Sequence, residues 1–159
     1  MLLIGVDPGL SGALAALDRN GLRGVADMPT MAAGKGTGKV KAQVNPAALA
    51  ELLREWCDPQ DAVLAVLERV GAMPGQGVAS VFSLGDSFGC LRGVLAAKRI
   101  PVHVVAPGVW KKAYSLGSHK EQARARAIEL YPQASLARKR DHGRAEAILL
   151  ARYGLERFA

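Results

Sequence analysis

Only two cysteines occur in the 159 residues, Cys57 and Cys90, and they form no metal-ligand spacing. Cysteine-held metal centres are thereby excluded, and both side chains read as reduced thiols of a cytosolic chain. No apolar run approaches the length that crosses a bilayer, so no membrane partner is expected. Met1 leads directly into an apolar run, without a basic leader region or a cleavage site, so no signal peptide is expected. Internal repeats are also lacking, and the length fits a single domain over residues 1–159 with a core that needs no staples.

Acidic residues are the scarcer charge, 14 against 21 Lys and Arg, for a formal net charge of +7. The excess is concentrated. From Trp110 to Ala145 there are nine Lys/Arg (Lys111, Lys112, Lys120, Arg124, Arg126, Arg138, Lys139, Arg140 and Arg144) against three acids, Glu121, Glu129 and Asp141. Such clustering is the electrostatic footprint of a phosphate-backbone binder; a solvated basic face is the alternative.

What acids there are fall at informative places. The run Leu2-Leu3-Ile4-Gly5-Val6 ends in Asp7 and a glycine turn, Asp7-Pro8-Gly9-Leu10-Ser11-Gly12. A second run, Ala62-Val63-Leu64-Ala65-Val66-Leu67, ends in Glu68. Both are apolar at nearly every position, which marks central strands covered on both faces. If the two lie parallel, both carboxylates emerge at the carboxyl edge of one sheet, where open α/β sheets place their ligands.

Between these runs, Ala13 to Leu17 and Leu22 to Met28 read as strands joined at Asn20-Gly21, a pair that tolerates the positive φ of a hairpin turn. Pro29 to Val44, rich in Gly and carrying Lys35, Lys39 and Lys41, reads as a mobile loop, either touching phosphate or merely connecting. Asn45-Pro46 caps a helix with Leu49, Leu52, Leu53 and Trp56 on one face. Gly71 to Gly77 reads as a flexible loop, Val78 to Lys98 as a long helix with Phe82 in its core face, and Pro101 to Val105 as a buried strand. Ser118-His119-Lys120-Glu121 has the form of a capping box opening a helix to about Tyr131, and a last helix carries Ala145, Ile148, Leu149 and Tyr153. This order is that of a ribonuclease H-like α/β fold: a mixed five-stranded sheet, three strands in an antiparallel meander plus two parallel ones, flanked by helices.

Near the carboxyl end lies a third acidic group, in Arg140-Asp141-His142-Gly143-Arg144-Ala145-Glu146. His142 and Glu146 share a helical face. Asp141 and Glu146 converge only if Asp141 stands at or before the helix start, and taken alone Asp141 reads as an N-cap. As a set, Asp7, Glu68, Asp141 and Glu146 offer the oxygen ligands that suit two Mg²⁺ ions, with Mn²⁺ as a substitute. Two such ions activate water and stabilise the leaving oxygen of a phosphodiester.

Ile4-Gly5-Val6-Asp7-Pro8-Gly9, Leu67-Glu68-Arg69, Lys120-Glu121-Gln122-Ala123-Arg124-Ala125-Arg126-Ala127 and Arg140-Asp141-His142-Gly143-Arg144-Ala145-Glu146-Ala147, in that order, resemble the RuvC-type Holliday junction resolvases, especially their compact phage and prophage versions. The resemblance spans essentially the whole chain. It implies a homodimeric, Mg²⁺-dependent endonuclease that cuts two like-polarity strands of a four-way DNA junction, leaving 5′-phosphate and 3′-hydroxyl ends. It further implies a cytoplasmic, nucleoid-associated protein of a bacterium or a phage-infected cell. Asp7, Glu68 and Glu146 match the family's metal-binding acids. Bacterial members place a fourth acid three residues before the last one; here that position is Gly143. Asp141 is the favoured substitute, with His142 as a further ligand or a proton shuttle. Lys111, Lys112 and Lys120 stand where the family contacts phosphate, and Arg124, Lys139, Arg140 and Arg144 extend the same basic surface.

Bacterial relatives carry an aromatic in the loop after the second acid, and Arg69 to Gly77 has none. Met73 is the apolar wedge available there, or simply a packing residue. The long helix is rich in small residues (Ala79, Ser83, Ser87, Gly89, Gly93, Ala96, Ala97), which permits close approach of a second helix; the resemblance makes it the subunit interface, and packing on its own sheet is the alternative. Other readings are a nuclease of the same fold acting on branched DNA or RNA–DNA hybrid, a non-catalytic junction binder, and an actin-like ATPase. The last needs a duplicated domain that the chain lacks.

Overall fold

The computed structural model describes residues 1–34, 42–117 and 119–159. The lysine-bearing part of the loop at 35–41 and Ser118 of the expected capping box lie outside the described residues, as does the side chain of Lys120.

The two apolar runs form β1 (Leu2–Asp7) and β6 (Val63–Glu68), and they pair in parallel, Leu2 opposite Val63 through Val6 opposite Leu67. On its other side β1 pairs antiparallel with β2 (Ala13–Asp18), which pairs antiparallel with β3 (Gly21–Asp27). The turn between them is Arg19-Asn20, with Gly21 (φ 125°) already opposite Asp18, so the left-handed residue is the glycine alone. Adding β7 (Val102–Val105), parallel to β6, gives the sheet order β3-β2-β1-β6-β7. This is the expected mixed sheet.

Helices cover both faces. Leu2, Ile4, Val6, Ala65 and Leu67 meet Leu49 and Leu53 of α1 (Pro46–Trp56) and Leu91 and Leu95 of α2 (Val78–Ala97). The alternate residues Leu3 and Val66 meet α3 (Pro107–Ala113) at Trp110, α4 (Lys120–Leu130) at Ala123 and Ala127, and the inner face of α5 (His142–Phe158). The period of two along β1 and β6 therefore sends Asp7 and Glu68 to the α5 side. Gly5 lets α5 lie directly on β1: a Cβ there would stand 2.0 Å from the Ala147 carbonyl oxygen.

Five expectations need correction. Pro101 to Val105, expected as a buried strand, is the edge strand β7, with Pro101, His103 and Val104 exposed and only Val105 buried. The segment Pro29 to Val44, expected as an unstructured loop, contains β4 (Thr30–Ala32) and β5 (Ala42–Val44), which pair antiparallel. The short helix α3 was not foreseen. Phe82, expected in the core, is 76% exposed, as is Val78 at 86%. And α2, with 20 residues, is long and apolar enough to cross a membrane by length and composition, contrary to the expectation that no stretch is. Asp86, Arg92 and the glycines interrupt the apolar run, yet they leave its mean apolar character high. Because α2 is apolar around its circumference, periodicity could not tell which side faces the sheet; only Ser87, Leu91 and Leu95 are buried.

Candidate active site

Three carboxylates converge at the carboxyl edge of the sheet. Asp7, Glu68 and Glu146 each present an oxygen within 4.8 Å of the other two, and all three side chains are half-buried. The β1–β6 register continued by one residue sets Asp7 level with Glu68. The close seat of α5 on Gly5 brings in Glu146, the neighbour of Ala147. Burial pushes the Glu68 carboxyl above its ordinary range; an indole hydrogen bond from Trp110 draws it back, Glu146 pushes it further up and Lys111 opposes that. The donor set is all oxygen and compact, which fits a hard divalent cation such as Mg²⁺ or Mn²⁺.

A fixed cation stands beside these acids. Lys111 Nζ lies 2.9 Å from Glu146 Oε1 and 5.2 Å from the centroid of the Trp110 ring. The adjacent Trp110 is fully buried and donates from Nε1 to Glu68 Oε2 at 2.6 Å. One turn of α3 thus engages two of the three acids. Sequence reasoning missed Trp110 as a site residue. The available signal was Pro107, a helix-start residue directly after a strand, with a tryptophan three positions on.

Asp141, expected as the fourth ligand, does not join the other acids. It stands at the N-cap of α5, yet its side chain caps nothing there. Its Oδ2 accepts from the Arg138 backbone N–H at 2.8 Å, and its Oδ1 accepts from Arg138 Nε and Nη2 at 2.9 and 2.6 Å. The Arg138 guanidinium holds this buried carboxyl below the usual carboxylate range. Gly143 could not carry an acid either, because a Cβ there would stand 2.7 Å from the Ser11 carbonyl oxygen and 2.9 Å from Gly12 Cα. The β1–β2 turn packs on the first turn of α5 at that point. His142 Nε2 lies 3.4 Å from Glu121 Oε1, while its buried Nδ1 has no hydrogen-bond partner among the described residues.

The basic segment divides in two. Arg144 donates to both oxygens of Asp27 from Nε and Nη2, at 2.6 and 2.9 Å. Arg124 bonds Glu121 and the Leu136 carbonyl oxygen, and Arg126 pairs with Glu129. By contrast Lys112, Lys139 and Arg140 are exposed and make no ion pair among the described residues. Met73 is 68% exposed in the loop before α2.

No protein-family model and no curated protein matches the chain. Among solved structures, Thermus thermophilus RuvC matches with a TM-score of 0.59 at 16% identity, covering 98% of this chain and 96% of that one. Thermus thermophilus RuvC in complex with Holliday junction substrate matches with a TM-score of 0.64 at 13% identity, covering 98% and 95%. The chain therefore has the ribonuclease H-like fold of RuvC along nearly its whole length.

Proposed function

We propose that the chain is a RuvC-type endonuclease that resolves four-way DNA junctions by divalent-metal-dependent phosphodiester hydrolysis, leaving 5′-phosphate and 3′-hydroxyl ends. The observation that carries this reading is the convergence of Asp7, Glu68 and Glu146 at the sheet edge of a fold that, in Thermus thermophilus RuvC, holds a Holliday junction. Those three acids would hold the ions, two in the expected reaction and Mg²⁺ by preference. Bound there, the ions would lower the pKa of the attacking water and offset charge on the phosphate.

The chain's own residues divide the remaining work. Trp110 donates a hydrogen bond to Glu68, and Lys111 pairs with Glu146. His142, one helical turn before Glu146 but outside the three-acid cluster, has a buried Nδ1 with no hydrogen-bond partner among the described residues; as a ligand it would complete the site in place of Asp141, or it would carry a proton. Asp141 is assigned to holding the Arg138 loop against the start of α5. Among the described residues of the basic segment, Lys112, Lys139 and Arg140 are the cations without an ion pair and so available to backbone phosphates, with Met73 projecting as the wedge at the crossover. Arg124 and Arg144, also expected on the DNA surface, would have to exchange Glu121 and Asp27 for phosphate.

A homodimer is part of the proposal, since two symmetric cuts need two sites at a fixed separation. Its support is on α2: Val78 and Phe82 are exposed, and a Cβ added at Gly85, Gly89 or Gly93 would meet nothing within 4 Å. Three exposed glycines within a helix each cost about 0.5–1 kcal/mol relative to alanine, and close approach of a second α2 accounts for them.

Asp7→Asn tests the site. Loss of cleavage with junction binding retained is expected; undiminished cutting by this variant would overturn the assignment.

A further inference from the structure

We infer that Trp110 is a positioning residue for Glu68, an inference that rests on the reading of Asp7, Glu68 and Glu146 as ion ligands. Trp110 is the bulkiest of the fully buried side chains, and its indole N–H is its sole polar group. A buried indole donor needs an acceptor, and here that acceptor is a carboxylate of the proposed ion site, at 2.6 Å. With Glu68 ionised the bond is charge-assisted, among the stronger kinds of hydrogen bond. It joins residues 42 apart in sequence, tying α3 to the end of β6.

The bond does something that packing alone cannot. Glu68 has two carboxylate neighbours, and like charges at this range drive a free side chain to turn away. Fixing Oε2 on a rigid donor fixes the carboxylate plane, so Glu68 keeps its orientation toward Asp7 and Glu146 before any cation arrives. This is how an outer partner orients a ligand carboxylate, and loss of such a partner typically lowers metal affinity by roughly ten- to a hundredfold.

Trp110→Phe keeps an aromatic ring in the slot and removes the donor. Calorimetric titration with MnCl₂, without DNA, should show that variant binding roughly ten- to a hundredfold more weakly than the parent chain. In a Glu68→Gln background the same substitution should cause no further loss. An unaffected Trp110→Phe, or an equal loss in both backgrounds, overturns the inference while leaving the ion site standing. Absence of Mn²⁺ binding by the parent chain overturns the ion-site reading and the inference with it.

A second measurement needs no substitution at 110. The chain has two tryptophans, Trp56 and Trp110, hence two ¹⁵N-indole resonances that Trp56→Phe assigns. The Trp110 indole proton should move upfield in Glu68→Gln and shift on addition of MgCl₂ to the parent chain. A Trp110 resonance unmoved by Glu68→Gln overturns the inference even if Trp110→Phe fails to fold.

Discussion

Lys111 Nζ lies 2.9 Å from Glu146 Oε1, so the carboxylate cluster has a cation of its own before any metal enters. The pair is neither exposed nor sealed, with Lys111 26% and Glu146 13% accessible. Lys111→Gln should therefore cost the metal-free protein about 1–2 kcal/mol, between the values for surface and buried pairs. It should also tighten divalent binding, because a competing positive charge is gone. Melting in EDTA and in Mg²⁺ checks both: the variant should melt lower in EDTA and gain more than the parent from Mg²⁺. A deficit that Mg²⁺ leaves unchanged would make Lys111 a packing residue.

The acids predict opposite pH limbs. Glu68 has its folded pKa raised above the ordinary 4.5, so its proton favours the folded state. That contribution is full below 4.5 and is lost as pH rises through the folded pKa. Glu68→Gln should accordingly stabilise the metal-free protein at neutral pH, with the gain vanishing toward 4.5 and below. Asp141 runs the other way: Arg138 lowers its pKa, so its contribution is present above 3.8 and lost as pH falls through the lower folded value. Asp141→Asn should cost about 1–3 kcal/mol at pH 7, a deficit that shrinks in acid. Thermal melts in EDTA across pH check both signs, and parallel curves for parent and variants would refute them.

Gly89→Leu separates fold from assembly. A Cβ added there meets open space, and leaving glycine raises helix propensity by about 0.5–1 kcal/mol, so the variant subunit should keep the parent's fold by circular dichroism. If α2 pairs subunits, the same change should convert dimer to monomer in sedimentation. A variant as dimeric as the parent would remove α2 from the interface.

Lys112, Lys139 and Arg140 should set the salt dependence of DNA binding. Replacing each with Gln should weaken junction and duplex binding alike and reduce the slope of log K against log salt by roughly one for each phosphate no longer neutralised. Arg144→Gln should instead lower stability through Asp27. An unchanged slope in the triple variant would put the DNA surface elsewhere.

Much of this arrangement is legible in the chain. The uninterrupted apolar runs before Asp7 and Glu68 mark central strands, and Asn45-Pro46 announces α1, whose Ala48 N–H does bond Asn45 Oδ1 at 3.1 Å. The parity that turns both acids to one face follows from strand geometry. What could not be read depends on contacts between distant segments. Trp110 meets Glu68 only because a seven-residue helix, too short for a 3.6-residue pattern, follows β7 directly. Asp141 has the sequence position of a ligand or a cap, and Arg138 three residues earlier claims it instead. Gly143 is excluded from ligation by a turn about 130 residues away in sequence, a separation no local pattern encodes.

Cleavage of a labelled immobile four-way junction, beside linear duplex and RNA–DNA hybrid, in Mg²⁺ and in EDTA, tests the central claim most directly. The account predicts paired symmetric nicks confined to the junction, in Mg²⁺ only, with ends that ligase reseals. Degradation of the hybrid, or binding of the junction without cutting in Mg²⁺ and Mn²⁺ alike, would contradict it.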